Sequence, residues 1–359
     1  MHITPIKIGF VLLSNAKIPI PSTRIAVLNM FPFLRAAEFD PHIVFEPEGN
    51  DETPNLSGLS TRLKAEGFQI VYFQKVHGDS VLTLARELRA LSIKTIFGIC
   101  DYVEPNMVDA TDVTVTVTDY LKSLYPAALQ PKISIVHDGI ENPSVYKTDW
   151  GLHSGSRARP LRAVLVTSLA LDKLPILVNP PSWLHVTIVG RYAAQNQRIQ
   201  RIREARWQLL NQDGWREKLN FLEFVMSNRI KRVAWEANCI YDNLQQADIG
   251  IIPIEPEPTE TDFKRLQMKS ENRLTLKMAI GLPVVATPIP AYEKLVQQGQ
   301  NGFLAHNLLD WLRYLTMLRD PDLRRSIGQQ ARQSALTAYS MDLQAKKLIS
   351  VLRALLDPL

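Results

Sequence analysis

Residues 269–287 read KSENRLTLKMAIGLPVVAT, a helical pattern followed by a short apolar run. It predicts a helix that begins at Glu271 with Ser270 as its N-cap. A short buried strand at Pro283–Ala286 follows, and an earlier apolar run at Asp248–Ile252 precedes the helix after a long loop. A strand, a helix and a strand in succession are the building unit of a parallel α/β sheet.

The same alternation runs through most of the chain. The other predicted strands are short, and most are apolar at consecutive positions, which indicates burial on both faces of a sheet. They are Ile8–Leu13, His42–Phe45, Ile70–Phe73, Thr95–Ile99, Val113–Val117 and Ile133–Val136, then Ala163–Val166, His185–Val189, Asn220–Phe224 and Ile249–Ile252. Helical patterns such as Thr23–Phe39 and Ser80–Leu91 lie between them. The fold class is therefore α/β, with two successive Rossmann-like, doubly wound domains.

The domain boundary is predicted at Ser154–Pro160, a polar stretch of small residues that is typical of a linker. We expect an N-terminal domain at 1–155, a C-terminal domain at 156–339 and a final helix at 340–359 with Ser340 as N-cap. That helix has one apolar stripe that must be buried. Its few cations favour burial against an adjoining domain over a membrane surface.

Composition excludes several classes of protein. The 359 residues are 46% hydrophobic and 21% charged, which suits about two globular domains. Two cysteines form neither a disulfide framework nor a multi-cysteine zinc site, and they indicate a reducing compartment. The net charge of +5 favours anionic partners such as phosphorylated ligands or anionic lipid, but the surplus reads as spread along the chain, and no basic arm for nucleic acid occurs.

The expected location is the cytoplasm, with the inner face of the membrane as the alternative. No apolar run approaches the ~18 residues of a membrane-spanning helix. The run Ile8–Leu13 is short and is followed by Pro19 and not by a small-residue cleavage site, so we interpret it as a strand and not as a signal peptide.

Common catalytic fingerprints are missing from the sequence. The first predicted strand is not followed by G-x-G-x-x-G, and no G-x-x-x-x-G-K-[ST], G-x-S-x-G or H-E-x-x-H occurs. No cluster has metal-ligand spacing, so we expect no metal site.

Two cations flank the predicted start of the helix at Glu271. Lys269 and Arg273 are four residues apart, which predicts that they share one helix face. Free amide groups, the positive end of the helix dipole and two cations together suit a diphosphate. An ordinary capped helix with solvated charges explains the same pattern, so both interpretations stay open.

The order of several segments resembles a known family. The segments are Val136-His137-Asp138-Gly139-Ile140-Glu141, residues 247–254, Lys269-Ser270-x-Asn272-Arg273, residues 279–287, residues 301–304, Leu323-Arg324-x-x-Ile327-Gly328-x-x-Ala331-Arg332 and Tyr339-Ser340. In this order and spacing the chain resembles glycosyltransferases of the GT-B fold, of the family 4 type (glycosyl transferases group 1).

The resemblance implies two Rossmann-like domains that face each other across a cleft, with the last helix crossing back to the first domain. The C-terminal domain would bind a nucleotide sugar as co-substrate, and the N-terminal domain a saccharide or lipid-linked acceptor. Such enzymes retain anomeric configuration and need no metal or other cofactor, and polysaccharide biosynthesis and peripheral membrane contact are common among them. Lys269 and Arg273 would then neutralise the departing diphosphate. Nucleic acid is not an expected partner, and the oligomeric state stays open.

The chain departs from the family pattern at two positions. The usual member carries two glutamates eight residues apart, and Met268 and Leu276 occupy those positions here. Glu271 could substitute for either. The departure keeps a second hypothesis open, a catalytically inactive GT-B scaffold that binds a ligand or a protein. A two-lobed small-molecule receptor is a third reading.

Further candidates lie at the predicted carboxyl ends of strands in the first domain. Asp101 could bind acceptor hydroxyls, act as a base or cap a helix, and His77 could serve as an acid or base. Lys75 is a similar candidate, and His137 could also face the cleft. The predicted catalytic set is Lys269, Arg273, Asp101 and His77, and the predicted donor-binding set is Lys269, Ser270, Glu271, Asn272, Arg273, Arg24 and Pro253.

One further group of cations lies outside these sets. Arg201, Arg203 and Arg206 share a predicted helix with Trp207. Either a solvated helix face or a membrane-surface patch accounts for them.

Overall fold

A computed structural model describes residues 5–151, 154–167, 175–193, 197–212, 214–236, 239–254 and 265–356. The contacts divide the chain into two compact units. The first contains Met1–Glu141, Gln267–Ser270 and Tyr339–Leu359, and the second contains Asn142–Leu266 and Glu271–Ala338. Residues 142–155, which the sequence assigns to the first domain, therefore lie in the second unit.

The first unit is a six-stranded parallel sheet with helices. Its strands are β1 (Ile6–Val11), β2 (Phe39–Phe45), β3 (Ile70–Gln74), β4 (Lys94–Ile99), β5 (Val113–Thr116) and β6 (Ile133–Ile135). Its helices are α1 (Pro21–Ala26), α2 (Phe31–Ala36), α3 (Leu59–Ala65), α4 (Asp79–Ala90), α5 (Asn106–Ala110), α6 (Asp119–Ser123) and the last helix, α15 (Met341–Leu356). The strand order is β2-β1-β3-β4-β5-β6, and every pair is parallel.

The last helix completes the core of the first unit, as the resemblance predicts. Ala345, Leu348 and Leu352 are buried in one cluster with Ile8 and Phe10 of β1. The predicted cap is confirmed, because the Leu343 amide donates to the Ser340 hydroxyl over 3.4 Å. The apolar stripe of α15 is thus covered by protein.

The second unit is another six-stranded parallel sheet. Its strands are β7 (Leu161–Val166), β8 (Leu184–Gly190), β9 (Ile230–Ala234), β10 (Ile249–Ile252), β11 (Val284–Ala286) and β12 (Phe303–Leu304). Its helices are α7 (Pro175–Val178), α8 (Arg198–Leu210), α9 (Trp215–Met226), α10 (Ile240–Gln246), α11 (Asn272–Ile280), α12 (Pro290–Glu293), α13 (Leu308–Met317) and α14 (Pro321–Tyr339). The order is β12-β11-β10-β7-β8-β9.

Strand order fixes where ligands bind in such sheets. Each order reverses direction next to its first strand, between β1 and β3 in the first unit and between β7 and β10 in the second. Ligands of open α/β sheets bind outside the carboxyl ends of the strands at this switch point. The loops after β1, β3, β7 and β10 are therefore the places to look for function.

Three sequence predictions differ from the structure. Asn220–Phe224 is not a strand but part of α9, because its aromatic residues Phe221 and Phe224 lie on the buried face of an amphipathic helix. The strand at this place in the sheet is β9. Thr23–Phe39 is not one helix but α1, a 3₁₀ turn and α2, which has Pro32 in its first turn.

The polar stretch Ser154–Pro160 is also not the boundary between the units. The amides of Gly155 and Ser156 donate to the Arg159 carbonyl, and the Arg319 side chain donates to the Gly155 carbonyl, all within the second unit. Among the described residues, no helix has the length and apolar character needed to cross a membrane.

Candidate active site

The switch point of the first unit is held together by Gln74. This side chain is buried at the end of β3, and its Oε1 accepts from the Leu13 amide and from the Thr23 hydroxyl, each at 3.0 Å. The Ser14 hydroxyl donates to Thr23 Oγ1 over 2.8 Å. A polar side chain at the end of an apolar strand thus fixes the loop after β1 and the start of α1, and sequence reasoning missed it.

Three charged side chains meet beyond the ends of β3 and β4. Asp101 accepts from Lys75 Nζ at 2.7 Å through Oδ2 and from Lys269 Nζ at 3.0 Å through Oδ1. Lys75 has φ of 60°, a left-handed backbone that a non-glycine residue adopts only under strain, and such strain concentrates at functional sites. The cluster therefore joins two predicted catalytic residues, Asp101 and Lys269.

The electrostatics of this cluster keep Asp101 ionised. Desolvation by burial raises the pKa of its carboxyl, but the charges and hydrogen bonds of Lys75 and Lys269 outweigh it and hold the pKa well below its usual range. Desolvation likewise lowers the pKa of Lys75, but its interactions with Cys100 and Asp101 hold that pKa above its usual range. Asp101 can accept hydrogen bonds from a ligand, but it is a poor proton acceptor at neutral pH.

A small cavity of about 30 Å³ lies beside the cluster in the first unit. Tyr72, Gln74, Cys100, His137 and Asp138 line it, and Leu348 of α15 closes one side. A space of this size holds one or two water molecules. Burial raises the pKa of Cys100 to about 12, so its thiol is not a nucleophile at neutral pH.

Residues 267–270 belong to the first unit and are fixed there by side chains far away in the sequence. Ser270 Oγ donates to Asp138 Oδ2 over 2.9 Å, and Met268 packs against the core that contains Val71 and Phe97. The prediction that Ser270 caps the following helix is therefore wrong. That helix, α11, starts at Asn272 after Glu271, and no side chain caps it.

The predicted shared face of Lys269 and Arg273 is also incorrect. Lys269 precedes α11 and its ammonium group pairs with Asp101, whereas Arg273 lies in the first turn of α11, in the second unit. Among the described residues, no hydrogen-bond acceptor or carboxylate contacts the Arg273 guanidinium. Arg273 is thus a cation near a helix N-terminus without an ion-pair partner among the described residues. Lys269, by contrast, is already paired with Asp101.

Arg24 and His77 lie elsewhere in the first unit. Arg24 donates from Nε and Nη2 to the two carboxylate oxygens of Glu141, at 2.7 and 3.0 Å, and Asn29 donates to the same carboxylate at 2.9 Å. His77 Nε2 is 3.8 Å from a carboxylate oxygen of Glu52. His137 Nδ1 lies 2.8 Å from the Val117 carbonyl oxygen, and it donates a hydrogen bond to that oxygen when Nδ1 carries the proton.

In the second unit, α11 leads from Arg273 into β11. Gly281 has φ of 92° and ends the helix in the left-handed conformation that favours glycine. Glu271 is buried, and the charges of Glu271 and Arg273 both act on the hydroxyl of Tyr292. Burial raises the pKa of the Tyr292 hydroxyl to about 12, with Arg273 opposing and Glu271 adding to the rise.

Other donor-site predictions lie partly beyond the described residues. Pro253 is buried directly after β10, and the Ile254 amide donates to the Thr287 hydroxyl over 3.0 Å. The acidic loop residues Glu255, Glu257 and Glu260 fall outside the described residues. Asn272 is half-buried at the first position of α11.

Leu276 occupies the second position where the family has glutamate, and its apolar side chain contributes to the packing of the second unit. It lies against a buried cluster that includes Val164, Ile240 and Leu244. Met268 is likewise packed in a core. Neither position can present a carboxylate to a ligand.

Comparison with known proteins agrees with the resemblance seen in the sequence. The model of the family Glycosyl transferases group 1 matches residues 166–315, which lie mostly in the second unit. No curated protein sequence matches the chain significantly. The match covers less than half of the chain, and it shows that this segment is similar to the family.

Solved structures extend the likeness to the whole chain. A glycosyltransferase from Rickettsia africae superposes with a TM-score of 0.70 at 13% identity, and the match covers 99% of this chain and 100% of that one. HepE from Anabaena, solved with UDP and glucose, gives 0.60 at 14% identity over 97% and 100% of the two chains. Sucrose-phosphate synthase from Thermosynechococcus elongatus gives 0.64 at 12% identity over 98% and 99%. At these identities the structures establish a shared GT-B fold.

Proposed function

We propose that this protein, whose residues 166–315 match glycosyl transferases group 1, transfers a sugar from a nucleotide-sugar donor to a saccharide or lipid-linked acceptor. The reaction retains anomeric configuration and needs no metal ion. The observation that carries the proposal is the family match over the unit in which α11 presents Arg273 at its first turn. HepE was solved with UDP and with UDP-glucose, so UDP sugars are the first donors to test.

On the donor side, Arg273 has the properties that a leaving diphosphate requires. Arg273 lies in the first turn of α11, where the helix dipole favours an anion. A guanidinium binds phosphate oxygens in a bidentate way, and that of Arg273 has no hydrogen-bond or ion-pair partner to lose among the described residues. Its interaction with the diphosphate strengthens as the glycosidic bond breaks and negative charge develops on the leaving group.

On the acceptor side, Asp101 is a hydrogen-bond acceptor and not a base. Lys75 and Lys269 hold its carboxylate ionised and fix its direction. Acceptor hydroxyl groups can donate to the same carboxylate, since each oxygen accepts more than one hydrogen bond. In this role Asp101 orients the acceptor, and Lys269 helps to hold the carboxylate of Asp101 in place.

A second candidate, an inactive scaffold, follows from a specific observation. Met268 and Leu276 are packed in apolar clusters where the family has carboxylates. Any contact that a carboxylate at these positions makes with the donor therefore needs another group here. Glu271, buried beside the start of α11, is the carboxylate that stands nearest in the sequence to both positions.

Binding and turnover distinguish the two candidates. We expect one nucleotide sugar, from a panel that begins with UDP-glucose, to raise the melting temperature, because a ligand at ~100 times its Kd stabilises by ~2.7 kcal/mol. The same compound should be hydrolysed slowly without acceptor, with release of nucleoside diphosphate. Stabilisation without hydrolysis or transfer indicates the scaffold, and no stabilisation by any nucleotide or nucleotide sugar contradicts both.

Metal independence is tested by chelation. Arg273 can carry diphosphate charge that a divalent cation carries in other enzymes, so we expect hydrolysis of the donor to continue at its full rate in EDTA. The rate should be measured before and after addition of Mg²⁺ and Mn²⁺ to the chelated protein. A loss in EDTA that either metal restores would contradict the proposal.

A further inference from the structure

Helix α8, in the second unit, lies on the surface without a buried residue. Its outward face carries large apolar side chains at helical spacing, and these are among the most exposed in the chain. They are Ile199 (71% exposed), Ile202 (68%), Trp207 (68%) and Leu210 (66%). Leaving four such side chains in water is costly, since burying each one stabilises by about 1.5–3 kcal/mol.

Helix α9, which packs beside α8, carries a second exposed apolar stripe. Phe221 and Phe224 on one face are buried in the core. The opposite face exposes Trp215 (73%), Leu219 (50%), Leu222 (38%) and Met226 (80%) at i, i+4, i+7 and i+11. We call these two stripes, together with Arg201, Arg203 and Arg206 of α8, the α8–α9 surface.

The positive charge of the chain is concentrated at this surface. Residues 198–232 contain nine Lys and Arg and four Asp and Glu, a formal excess of +5 that equals the net charge of the whole chain. The interpretation that the excess of positive charge is spread along the chain is therefore wrong. Among the described residues, no carboxylate pairs with Arg201, Arg203 or Arg206.

An arginine-lined cavity of about 390 Å³ opens in the same place. Arg191, Arg201, Arg203 and Arg232 line it together with Glu204, Tyr192 and Trp207. Burial lowers the pKa of Arg232, and the nearby charge of Arg201 adds to the effect. Four guanidinium groups and the carboxylate of Glu204 leave the cavity lining with an excess of positive charge, and phosphate is an anion whose geometry suits several arginines.

We propose that the α8–α9 surface docks the protein on a membrane that contains anionic phospholipid. The arginines meet lipid phosphates, and the exposed Ile, Leu, Met and Trp side chains enter the boundary between headgroups and acyl chains. Tryptophan and arginine beside an apolar stripe are the composition of helices that lie in this interface. A second copy of the chain suits the surface less well, because a two-fold contact brings the same arginines face to face.

Vesicle binding by the full-length protein tests the proposal without any sugar donor, so its outcome is independent of the proposed enzymatic function. We expect the protein to float with vesicles of phosphatidylcholine and phosphatidylglycerol, but not with phosphatidylcholine alone. Binding should weaken as NaCl rises from about 0.1 to about 0.5 M, since salt screens exposed charges. Tryptophan emission should shift to the blue on binding, and a Trp207→Phe/Trp215→Phe variant should lose the shift.

Two sets of variants measure the two contributions. Arg201→Gln/Arg203→Gln/Arg206→Gln should bind on the order of 10²-fold more weakly, since each cation near an anionic surface contributes about fivefold. Its matched control is Arg86→Gln/Arg325→Gln/Arg353→Gln, which makes the same charge change at exposed positions on other helices. Ile199→Ser/Ile202→Ser should bind at least about tenfold more weakly, and the exposed pair Ile18→Ser/Leu309→Ser is its control.

The proposal fails if the wild-type protein does not bind the anionic vesicles at low salt, or if the α8–α9 variants bind as tightly as their controls. Sedimentation of the protein without vesicles identifies the competing occupant. A dimer that Ile199→Ser/Ile202→Ser dissociates, together with absent vesicle binding, overturns the membrane assignment in favour of a second copy. Arg201 is half-buried and the other changed side chains are exposed, so melting temperatures close to that of the wild type are expected and exclude misfolding as the cause.

Discussion

Arg273→Ala is expected to lower turnover by on the order of 10²-fold, by analogy with the loss of one preorganised donor at a developing charge. The guanidinium lies in the first turn of α11 and has no partner among the described residues, so its removal breaks no contact there. The folding free energy should not fall, because Arg273 is half-buried without an ion pair among the described residues and its charge opposes that of the buried Lys277. Donor hydrolysis and thermal unfolding of the same preparation measure both quantities.

Two further substitutions sharpen this prediction. Arg273→Lys keeps the charge but loses the planar fork, and we expect an intermediate turnover. Arg325→Ala, on the surface of α14, removes an arginine in the same unit and should change neither quantity. Wild-type turnover in Arg273→Ala would remove the support for the donor site proposed at α11.

Lys269 requires a separate experiment because its ammonium group is already paired. If it also meets the diphosphate, Lys269→Ala lowers turnover about as much as Arg273→Ala does. If it serves only to hold Asp101, its effect disappears in an Asp101→Asn background, because the two residues then act as one pair. Turnover of both single variants and the double variant decides between these roles.

The sequence predicts the fold better than the site, and particular residues show why. Buried parallel strands are apolar at consecutive positions, so runs such as Ile70–Phe73 and Ile249–Ile252 can be recognised without any knowledge of their neighbours. Asn220–Phe224 has a similar local composition but lies in α9. Helix α9 is apolar on two faces: Phe221 and Phe224 are buried, whereas Leu219 and Leu222 on the other face are exposed. Apolar residues on both faces resemble the pattern of a buried strand, which explains the wrong prediction.

The site depends on contacts between residues far apart in the sequence, which spacing alone cannot reveal. Ser270 has the residue type and position of a helix cap, but its hydroxyl donates to Asp138, 132 residues away. Lys269 has helical spacing to Arg273, but it pairs with Asp101, 168 residues away. Gln74 could have been noticed from the sequence, since a polar residue at the end of an apolar strand at a switch point needs a buried partner.

Lys277→Met is expected to stabilise the protein strongly at low pH and less at high pH. Lys277 is fully buried one turn after Arg273, and its Nζ donates to the Arg273 carbonyl over 3.0 Å. Burial lowers the pKa of its ammonium group to about 7, and the charge of Arg273 adds to the effect. The folded protein therefore holds an unfavourable buried charge, or gives up a proton, close to the proposed donor site.

The sign of the pH dependence follows from the two pKa values. The unfolded chain holds this proton up to a pH near 10.5, whereas the folded chain releases it near 7. Below pH 7 both states are charged and the folded state bears the full cost of burial. Between pH 7 and 10.5 the folded state is neutral, and the cost falls as the pH rises towards the unfolded pKa. From pH 6 to pH 9 this amounts to about 2–3 kcal/mol in favour of folding.

Urea unfolding of the wild type and of Lys277→Met, at pH 6 and at pH 9, measures how much the buried charge of Lys277 lowers the free energy of unfolding. Methionine is as long and flexible as the buried part of lysine, and the lost hydrogen bond costs only about 1 kcal/mol. The gain from Lys277→Met should therefore be larger at pH 6 than at pH 9. Lys147, whose pKa burial lowers to about 8, titrates in the same range in both proteins, so its contribution cancels in the difference. Lys294→Met at an exposed position is the control, and parallel pH profiles for Lys277→Met and Lys294→Met would show that Lys277 is not charged inside the fold.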